Sequence, residues 1–586
     1  MKKSKQPVVI GRGDLNGVPS KLSKAVDGEL VLARGENVVP ALQAAFRSGR
    51  PIVTNIAAPI VIRALAPFLE TKFDDPPVVV TSYDGRFVVP LLGISHGATT
   101  LAKTIEEKLG WQRVAFGGTA SYFKSGTPLD ISPDGYYLQN FNDDDYKKFS
   151  TSLLDGECVT IYGNAPWLSE LPQSNDARLK ITITDQALVG SDEHLVFTSM
   201  TLAVGVGCER GTSIEEVQEL IDKTLREHNL APASVAVYAT IDLKEDEPAI
   251  RSLTEDESTR FFSADELNAV AHRIMNPSEI VRNEVGTPSV AEASALAAAG
   301  PDSILIVPKT KSARATCAIA RAPKPILERR GRAAGSIMIV GIGPGSPETR
   351  SPEVSYLIWY ATDWVGYGLY LDLISDAKAD QTEHRFPLGN EEARCRHAIE
   401  LAKLGKRVAL VCSGDAAIYA MAALVYELID REPNRIKVEV HPGISAFQAA
   451  SAKAGAMIGH DFCCISLSDL LTPWEAIEKR IKAAAEGDFV ISFYNPRSLK
   501  RRDQLQKAFA ILKDHRPPDT PVVVATNLGR PEENVRIRKF SEFDPEEVDM
   551  LTLVMVGSSQ SKSITRGDGK TYAYTPRGYA KKMDAK

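Results

Sequence analysis

The sequence predicts an α/β protein made of several lobes. Short apolar runs of strand length alternate with longer segments of helical periodicity along most of the chain. The chain has 586 residues, 44% hydrophobic and 25% charged, which is typical of a globular protein with several hydrophobic cores. Many of the predicted strands end in glycine-rich or polar turns, and open α/β sheets bind their ligands at such strand ends. We therefore expect several α/β lobes with binding sites at the strand exits.

Composition and charge exclude several classes of protein. The 69 lysines and arginines against 75 acidic residues give a net charge of -6, and no basic block carries interleaved aromatics, so we expect no nucleic-acid partner. The first residues are polar beyond Met-Lys-Lys, and no apolar run is long enough to cross a bilayer, which predicts a cytoplasmic protein without a membrane partner. The seven cysteines lack C-x-x-C spacing, so we expect reduced thiols and no metal site.

The first lobe is predicted over residues 1–121. Strands at 7–10, 29–33, 51–56 and 77–81 alternate with helices at 39–48 and 60–69. Asp84-Gly85 forms a hairpin-type turn, and a polar turn at residues 93–99 precedes a helix at 100–109. A polar turn at a helix N-terminus is a plausible anion or oxyanion site. His96 in this turn is a candidate catalytic residue, and a capping role is the alternative.

A linking subdomain is predicted over residues 122–200, because its motifs are few and its polar clusters are typical of exposed loops. A further α/β lobe is expected over residues 201–322, with strands near 202–207, 235–239 and 304–308. Carboxylates, hydroxyls and lysines gather at its strand ends, which makes Glu284 and Lys309 candidate catalytic residues. A solvated surface charge is the alternative for each lysine. Residues 323–335, rich in arginine and proline, are predicted to be a linker.

A new domain is predicted to begin at residue 336, where a buried strand leads into a turn with Gly341, Gly343 and Gly345. Glycine lacks a Cβ atom and tolerates positive φ, so we expect main-chain amides of this turn to face a ligand. The turn is not a dinucleotide loop. Its third glycine comes one place early, two prolines stand where the helix should begin, and no acidic residue ends the next strand. Later strands also end in polar turns, at residues 413–415, 442–446, 466–469, 494–498 and 526–527.

The motifs of this C-terminal half resemble the precorrin-3B C17-methyltransferase family (cobalt-factor III methyltransferase in the anaerobic route). The members of this family are class III S-adenosylmethionine-dependent methyltransferases of corrin biosynthesis. The resemblance is carried by the motifs at residues 341–347, 365–367, 413–419, 442–446, 465–474 and 494–498. It implies a two-lobed tetrapyrrole methyltransferase with an N-lobe over 336–445 and a C-lobe over 446–586. It also implies methylation at C17 with ring contraction to precorrin-4, and a homodimer formed through this half.

The same resemblance implies which residues bind S-adenosylmethionine. They are Gly343, Pro344, Gly345, Pro347, Gly414, Asp415, Ile418, Tyr419, Ser445, Ala446, Tyr494, Asn495, Thr526 and Asn527. Ring contraction needs a general base, and Asp469, His441 and His460 are the candidates, each with a structural role as the alternative. The precorrin substrate carries many carboxylates, so Arg497 and Arg501 could bind it together with Ser466 and Ser468, unless this is only a solvated basic turn.

Residues 1–322 resemble the cobalt-precorrin-5A hydrolase family. The resemblance is carried by the motifs at residues 51–67, 84–92, 205–213, 241–244 and 285–292. It implies opening of a lactone with release of acetaldehyde, for which His96, Glu284 and Lys309 are the candidates. The turn at 93–99 lacks the doubled histidine and the asparagine associated with the family. This favours the alternative that the N-terminal half is a non-catalytic module that binds pathway intermediates.

Overall fold

The computed structural model describes residues 6–13, 17–70, 74–94, 97–114, 133–139, 143–254, 258–498 and 502–579. The chain divides into two compact units, Met1–Arg332 and Ala333–Lys586. His96 and Arg501, two of the predicted site residues, lie outside the described residues. Within the described part of the chain, no helix combines the length and the apolar composition needed to span a membrane.

The first sheet of the N-terminal unit has an α/β arrangement. Its strands are β1 (Val8–Gly11), β2 (Glu29–Leu32), β3 (Ile52–Thr54), β4 (Val78–Thr81), β5 (Phe87–Leu92) and β6 (Gln112–Arg113). Its helices are α1 (Val18–Val26), α2 (Val38–Arg47), α3 (Ala58–Leu65) and α4 (Ala98–Leu109). The strand order is β2-β1-β3-β4-β5-β6, and β4 pairs antiparallel with β5 while the other neighbours are parallel. The β4–β5 hairpin contains Asp84-Gly85, as the sequence predicts.

A second sheet lies in the region predicted only as a linking subdomain. It contains β7 (Tyr136–Gln139), β8 (Val159–Tyr162), β9 (Leu179–Thr184) and β10 (His194–Ser199) in the order β7-β10-β9-β8. Helix α5 (Asp143–Leu154) packs on it through Phe149 and Leu153, which are fully buried with Phe197. This region therefore has its own hydrophobic core, built from short β-branched strands that are separated by polar loops.

The third sheet of the unit has the order β13-β12-β11-β15-β14. Its strands are β11 (Leu202–Cys208), β12 (Val235–Ile241), β13 (Thr259–Phe262), β14 (Ile304–Lys311) and β15 (Ala315–Arg321). Its helices are α6 (Ile214–Glu227), α7 (Pro248–Arg251), α8 (Ala264–Ala269), α9 (Glu279–Val285) and α10 (Val290–Ala299). The alanine-rich α10 lies against β11 so closely that a Cβ atom at Gly205 would come within 1.9 Å of the Ala291 carbonyl oxygen. Small residues on both elements permit this contact.

The C-terminal unit begins with a parallel sheet of order β18-β17-β19-β16-β20. Its strands are β16 (Ser336–Gly341), β17 (Asp363–Tyr367), β18 (Thr382–Phe386), β19 (Arg407–Cys412) and β20 (Lys437–His441). Its helices are α11 (Pro352–Tyr360), α12 (Gly368–Asp372), α13 (Glu391–Lys403) and α14 (Ala422–Arg431). Ile337 and Ile339 point into the core on one face of the sheet, and Met338 and Val340 point into the core on the other face. This alternation explains why β16 is apolar throughout.

The second sheet of this unit is mixed, with the order β22-β23-β26-β24-β25. Its strands are β22 (Phe462–Ser466), β23 (Val490–Tyr494), β24 (Pro521–Thr526), β25 (Asn534–Lys539) and β26 (Thr552–Val556). The small sheet β21-β28-β27 adds β21 (Gly455–Ala456), β27 (Lys562–Thr565) and β28 (Thr571–Tyr574). The helices are α15 (Ala446–Ala454), α16 (Trp474–Glu486) and α17 (Gln504–Leu512). The prediction of several α/β lobes, ending in a two-lobed unit, is confirmed.

Candidate active site

Three glycines bring the exits of β16, β19 and β20 into direct backbone contact. A Cβ atom at Gly341 would lie 2.6 Å from the Gly414 carbonyl oxygen, and one at Gly443 would lie 2.2 Å from the same oxygen. Gly343 and Gly414 also pair through two backbone hydrogen bonds of 3.2 and 2.8 Å. The amide of Gly343 therefore donates a hydrogen bond to the neighbouring loop. Close packing of the loops accounts for the glycines at 341 and 443, and the expectation that amides of this turn face a ligand stays a prediction.

Asp415 holds two of these loops together. Its Oδ1 atom accepts a hydrogen bond of 2.8 Å from the Ala417 amide, and its Oδ2 atom accepts one of 3.2 Å from the Gly443 amide. The turn that follows includes Tyr419 at φ 51°. The carboxylate thus fixes both the turn after β19 and the distance between the β19 and β20 exits.

The loops enclose a cleft with a volume of about 220 Å³ in the C-terminal unit. Of the residues that the sequence assigns to the cofactor, those in its lining are Pro344, Gly414, Asp415, Ile418, Tyr419, Ser445, Ala446, Tyr494, Asn495 and Asn527. Gly343, Gly345, Pro347 and Thr526 lie outside the lining. The lining also contains residues that the sequence analysis missed, namely Tyr370, Ser413, Ala525, Leu528, Arg530, Met550, Leu551, Thr552 and Leu553.

Two tyrosines form an aromatic wall of the cleft. The rings of Tyr419 and Tyr494 have centroids 5.2 Å apart and are tilted by 51°. The Tyr419 hydroxyl donates to the Cys464 carbonyl at 2.9 Å, and the Phe447 amide donates to the Tyr494 hydroxyl at 3.4 Å. Burial raises the pKa of the Tyr494 hydroxyl, so this group stays neutral. Both rings are held by hydrogen bonds and present apolar faces, which suits a nucleobase.

The polar edge of the cleft comes from strand-exit residues in unusual backbone conformations. Asn495 and Asn527 have φ values of 49° and 52°, a left-handed conformation that asparagine tolerates better than most residues. The Asn495 amide nitrogen donates to the Ser466 hydroxyl at 3.1 Å, which ties the exits of β22 and β23 together. Thr526 is bonded to Thr552 through their hydroxyls at 2.9 Å. Ser466 and Thr526 therefore support the cleft from behind its lining.

Arg530 is the charged residue among the lining residues that the sequence analysis missed. Its Nε atom donates to the Pro344 carbonyl at 3.0 Å, and its Nη2 atom donates to the Ser413 hydroxyl at 3.0 Å. The guanidinium carbon lies 5.9 Å from the centroid of the Tyr370 ring. Burial lowers the pKa of this guanidinium, an effect that the two nearby tyrosines, Tyr370 and Tyr367, oppose. A sequence signal existed, since an arginine follows the Asn527-Leu-Gly turn, but a single arginine in a loop is usually a surface charge.

The predicted substrate-binding residues are engaged within the unit. The guanidinium of Arg497 forms an ion pair with Glu546 and donates to the Glu546 carbonyl at 3.0 Å. The Ser468 amide donates to the Ser466 hydroxyl at 3.3 Å. Asp469 accepts a hydrogen bond of 2.8 Å from the Gln504 side chain. Arg497 is therefore partly neutralised by Glu546, and its role as a carboxylate clamp stays a prediction.

The two histidine candidates for the general base have different surroundings. His441, at the end of β20, has its Nδ1 atom 3.0 Å from a Glu353 carboxylate oxygen, and its Nε2 atom is buried without a hydrogen-bond partner among the described residues. His460 is more than half exposed and its Nδ1 atom accepts a hydrogen bond from the Asp461 amide. Each ring thus has a carboxylate oxygen 3.0 Å from its Nδ1 atom, Glu353 for His441 and Asp461 for His460, and the two differ in that the His441 ring is largely buried and the His460 ring is exposed.

In the N-terminal unit the carboxylate beside Lys309 is Glu292. This fully buried side chain accepts hydrogen bonds from the amides of Met275, Asn276 and Lys309 at 2.8–2.9 Å, and from the Asn276 side chain at 2.8 Å. Burial alone would raise the pKa of Glu292, but these four bonds together lower it. The Lys309 ammonium donates to the Asn276 carbonyl at 2.8 Å, and burial lowers its pKa. Glu284 is exposed on α9.

The C-terminal unit, a parallel sheet followed by a mixed sheet with one cleft at the strand exits, has the two-lobed α/β fold of a class III methyltransferase. Residues 336–544 match the family described as Tetrapyrrole (Corrin/Porphyrin) Methylases. Residues 40–119 match the family Cobalamin synthesis G N-terminal, and residues 202–320 match Cobalamin synthesis G C-terminus.

Similar proteins of known name match the C-terminal unit. A probable cobalt-factor III C(17)-methyltransferase of Salmonella typhimurium is 44% identical over 243 residues, which cover 42% of this chain and 99% of the relative. A precorrin-3B C(17)-methyltransferase of a Sinorhizobium species is 39% identical over 249 residues, covering 42% of this chain and 98% of the relative. The solved structure of the methyltransferase CobJ is 38% identical and covers 41% of this chain and all of that chain, with a TM-score of 0.39.

The chain belongs to the tetrapyrrole methylase family, and it carries cobalamin synthesis G domains in its N-terminal unit. It is thus a methyltransferase of cobalamin biosynthesis, and S-adenosylmethionine is the methyl donor of its family. The residues of the cleft fit this donor chemically. The lining combines the apolar faces of Tyr419 and Tyr494 with the polar groups of Asp415, Asn495 and Arg530, which matches the mixed apolar and polar character of the donor.

Proposed function

We propose that the C-terminal unit methylates C17 of precorrin-3B, or of cobalt-factor III, and couples this transfer to ring contraction. The observation that carries the proposal is the cleft, because most of its lining lies within residues 336–544, which match the tetrapyrrole methylase family, and two C17-methyltransferases are similar to the chain over nearly their whole length. When bound there, S-adenosylmethionine supplies a methyl group on a positively charged sulfur. A precorrin bound beside the cleft would present its acceptor carbon to that methyl group.

The part of this chain in such a reaction is mainly positioning. The glycine contacts and Asp415 fix three strand exits relative to one another, so the donor site is held in place before ligands bind. A fixed alignment of two reactants can supply about 7–11 kcal/mol of a reaction barrier. The apolar side chains Leu528, Met550 and Leu551 line the same cleft and would limit water near the sulfonium.

Ring contraction also requires loss of a proton from a hydroxyl on the bridging carbon. We propose His441 as the acceptor of this proton. Its Nδ1 atom lies 3.0 Å from a Glu353 carboxylate oxygen, which would orient the ring, and its Nε2 atom has no hydrogen-bond partner among the described residues. Replacing His441 with asparagine should slow ring contraction and leave cofactor binding intact. His460→Asn, which changes an exposed histidine of the same unit, is the matched control.

The test is anaerobic incubation of the full-length protein with S-adenosylmethionine and either precorrin-3B or cobalt-factor III. We expect a product heavier by one methylene group, with the new methyl carbon at C17 by NMR and a contracted ring. The two substrates distinguish a metal-free from a cobalt-containing pathway. Methylation at a different carbon, or no methylation of either substrate, would contradict the proposal.

For the N-terminal unit we propose hydrolysis of the lactone of cobalt-precorrin-5A with release of acetaldehyde. Support comes from the matches to both cobalamin synthesis G families and from Lys309, an ammonium with a lowered pKa at the end of a strand. The second candidate is a non-catalytic module that binds intermediates. It is favoured by the engagement of Lys309 with Asn276 and by the exposed position of Glu284.

Acetaldehyde release from cobalt-precorrin-5A separates these two candidates. If the unit is a hydrolase, His96→Ala should lower the rate by about 100-fold, as loss of a group that stabilises an oxyanion does. C17 methylation should be unchanged. The matched control is His228→Ala, which changes an exposed histidine at the end of α6. If the wild-type protein releases no acetaldehyde, the binding module is the correct description.

A further inference from the structure

The guanidinium of Arg530 lies in the cleft without a counter-ion. Among the described residues no carboxylate pairs with it, and its hydrogen-bond partners are the neutral oxygens of Pro344 and Ser413. Its Nη1 atom has no hydrogen-bond partner among the described residues, and this atom is not one of the buried atoms that lack a partner. The group therefore keeps free donors that are accessible from the cleft.

Such an arrangement is unusual for a positive charge that is half-buried. Moving an ion out of water costs several kcal/mol, and buried charges are normally paired with an opposite charge. The surroundings of Arg530 compensate only partly, through two neutral acceptors and the Tyr370 ring. Two other arginines of the same unit show the contrast, because Arg497 pairs with Glu546 and Arg536 pairs with Glu547.

The backbone around Arg530 also holds this geometry in place. A Cβ atom at Gly345 would lie 2.6 Å from the Arg530 Cγ atom and 2.8 Å from the Gly529 carbonyl oxygen. The Gly529 amide donates to Glu533 at 2.6 Å, and Glu533 is itself paired with Lys453 at 2.6 Å. Of the two glutamates that follow Arg530 in the sequence, the one bonded to this loop is thus already neutralised by a lysine. The loop positions the guanidinium and leaves its charge unpaired.

We propose that Arg530 is the receptor for a carboxylate of a ligand bound in the cleft. A guanidinium offers two parallel N–H groups to a carboxylate, and such charge-assisted bonds are stronger than neutral ones. Two ligands of the proposed methyl transfer carry this group: the methionine part of S-adenosylmethionine and the acid side chains of the tetrapyrrole. The inference rests on the proposed function only where the carboxylate belongs to the tetrapyrrole.

The experiment compares Arg530→Gln with wild-type protein, using three probes. S-adenosylhomocysteine carries the amino-acid carboxylate, 5′-methylthioadenosine is a related nucleoside without it, and uroporphyrin III supplies tetrapyrrole carboxylates. If Arg530 binds the cofactor carboxylate, affinity for S-adenosylhomocysteine falls about tenfold or more, while that for methylthioadenosine stays within about twofold. If it binds the tetrapyrrole, only the affinity for uroporphyrin III falls by about that factor.

The proposal is overturned if no affinity changes. It is also overturned if S-adenosylhomocysteine and methylthioadenosine lose the same factor, because Arg530 would then only tie the loops at Pro344 and Ser413. Arg538→Gln, which removes a positive charge from the neighbouring strand β25, is the matched control and should change none of the affinities. Should Arg530→Gln fail to fold, Arg530→Lys gives the same test, since it keeps the charge and loses the paired donors.

These outcomes are independent of the methylated carbon. Binding of S-adenosylhomocysteine that depends on Arg530 would stand even if precorrin-3B proved not to be the substrate. Conversely, correct C17 methylation with unchanged affinities in Arg530→Gln would refute the carboxylate receptor and leave the proposed function intact.

Discussion

The two units of the chain hold their candidate functional residues in different ways. In the C-terminal unit, the exits of several strands converge on one cleft, and the Arg530 guanidinium in its lining has no carboxylate partner among the described residues. In the N-terminal unit, the described residues around Lys309 bond to one another. The Glu292 carboxylate accepts hydrogen bonds from the Asn276 side chain and the Lys309 amide, and the Lys309 ammonium donates to the Asn276 carbonyl. The comparison teaches that a charged cluster at a strand end can serve a fold as well as a reaction.

The largest effect on ligand binding is expected from the loop contact that shapes the cleft. In Gly443→Ala the new methyl group would lie 2.2 Å from the Gly414 carbonyl and 2.4 Å from the Gly341 carbonyl. We expect a loss of about 1–3 kcal/mol in the free energy of unfolding, and loss of S-adenosylhomocysteine binding, measured by denaturation and calorimetry. Gly567→Ala, where nothing lies within 4 Å, is the control. Wild-type stability and affinity in Gly443→Ala would show that the loops can separate freely.

The closed cluster of the N-terminal unit should matter for stability. In Glu292→Gln an amide group replaces one carboxylate oxygen that accepts backbone hydrogen bonds, so at least one buried donor loses its partner. We expect a loss of about 2–3 kcal/mol in the free energy of unfolding. Glu284→Gln, an exposed glutamate on α9, should change it by less than about 0.5 kcal/mol. Equal effects of the two substitutions would contradict the assignment of Glu292 as the anchor.

The same carboxylate should give the unit a dependence on acidic pH. The pKa of Glu292 is lowered in the folded state from its ordinary value of 4.5, so the unfolded state binds a proton first. The stabilisation from this group is complete above the unfolded pKa and is lost as the pH falls through the folded pKa. We expect the stability difference between wild-type protein and Glu292→Gln to shrink below about pH 4.5, as measured by denaturant titration over that range. A difference independent of pH would contradict the prediction.

A smaller effect is expected where a side chain only orients a loop of the cleft. In Asp415→Asn one of the two hydrogen bonds to the Ala417 and Gly443 amides should survive. We expect affinity for S-adenosylhomocysteine to weaken by about 1–3 kcal/mol while the fold is retained. Calorimetry on this variant and on Asp430→Asn, which changes an exposed aspartate on α14, provides the comparison. Unchanged affinity in Asp415→Asn would reduce the carboxylate to a turn-forming role.

The smallest effect should follow removal of the N-terminal unit. All described residues that line the cleft belong to the C-terminal unit, between Pro344 and Leu553. A protein of residues 333–586 should therefore bind S-adenosylhomocysteine within about twofold of the affinity of the full chain, by calorimetry. A folded fragment without binding would show that the N-terminal unit completes the donor site.

Local sequence was sufficient for much of the secondary structure. The apolar run of β16 with its glycine-rich exit and the β4–β5 hairpin at Asp84-Gly85 were both predictable. These features depend on backbone preferences of residues that are adjacent in the chain. The small sheet core around Phe149 was not predicted, because its strands are short and its polar loops dominate the composition of residues 122–200.

The sequence by itself determined the class of this protein, since motifs at fixed spacing identify a tetrapyrrole methyltransferase and the strand exits that form its cleft. Only the tertiary structure decided how those motifs are used. Gly341, Gly414 and Gly443 are far apart in the chain, and their need for glycine arises from contacts with one another. Arg530 and Pro344 are likewise distant in sequence, and Glu292 meets Lys309 across two elements. Such pairings depend on which loops the packed sheets bring together, and no local preference of the chain specifies them.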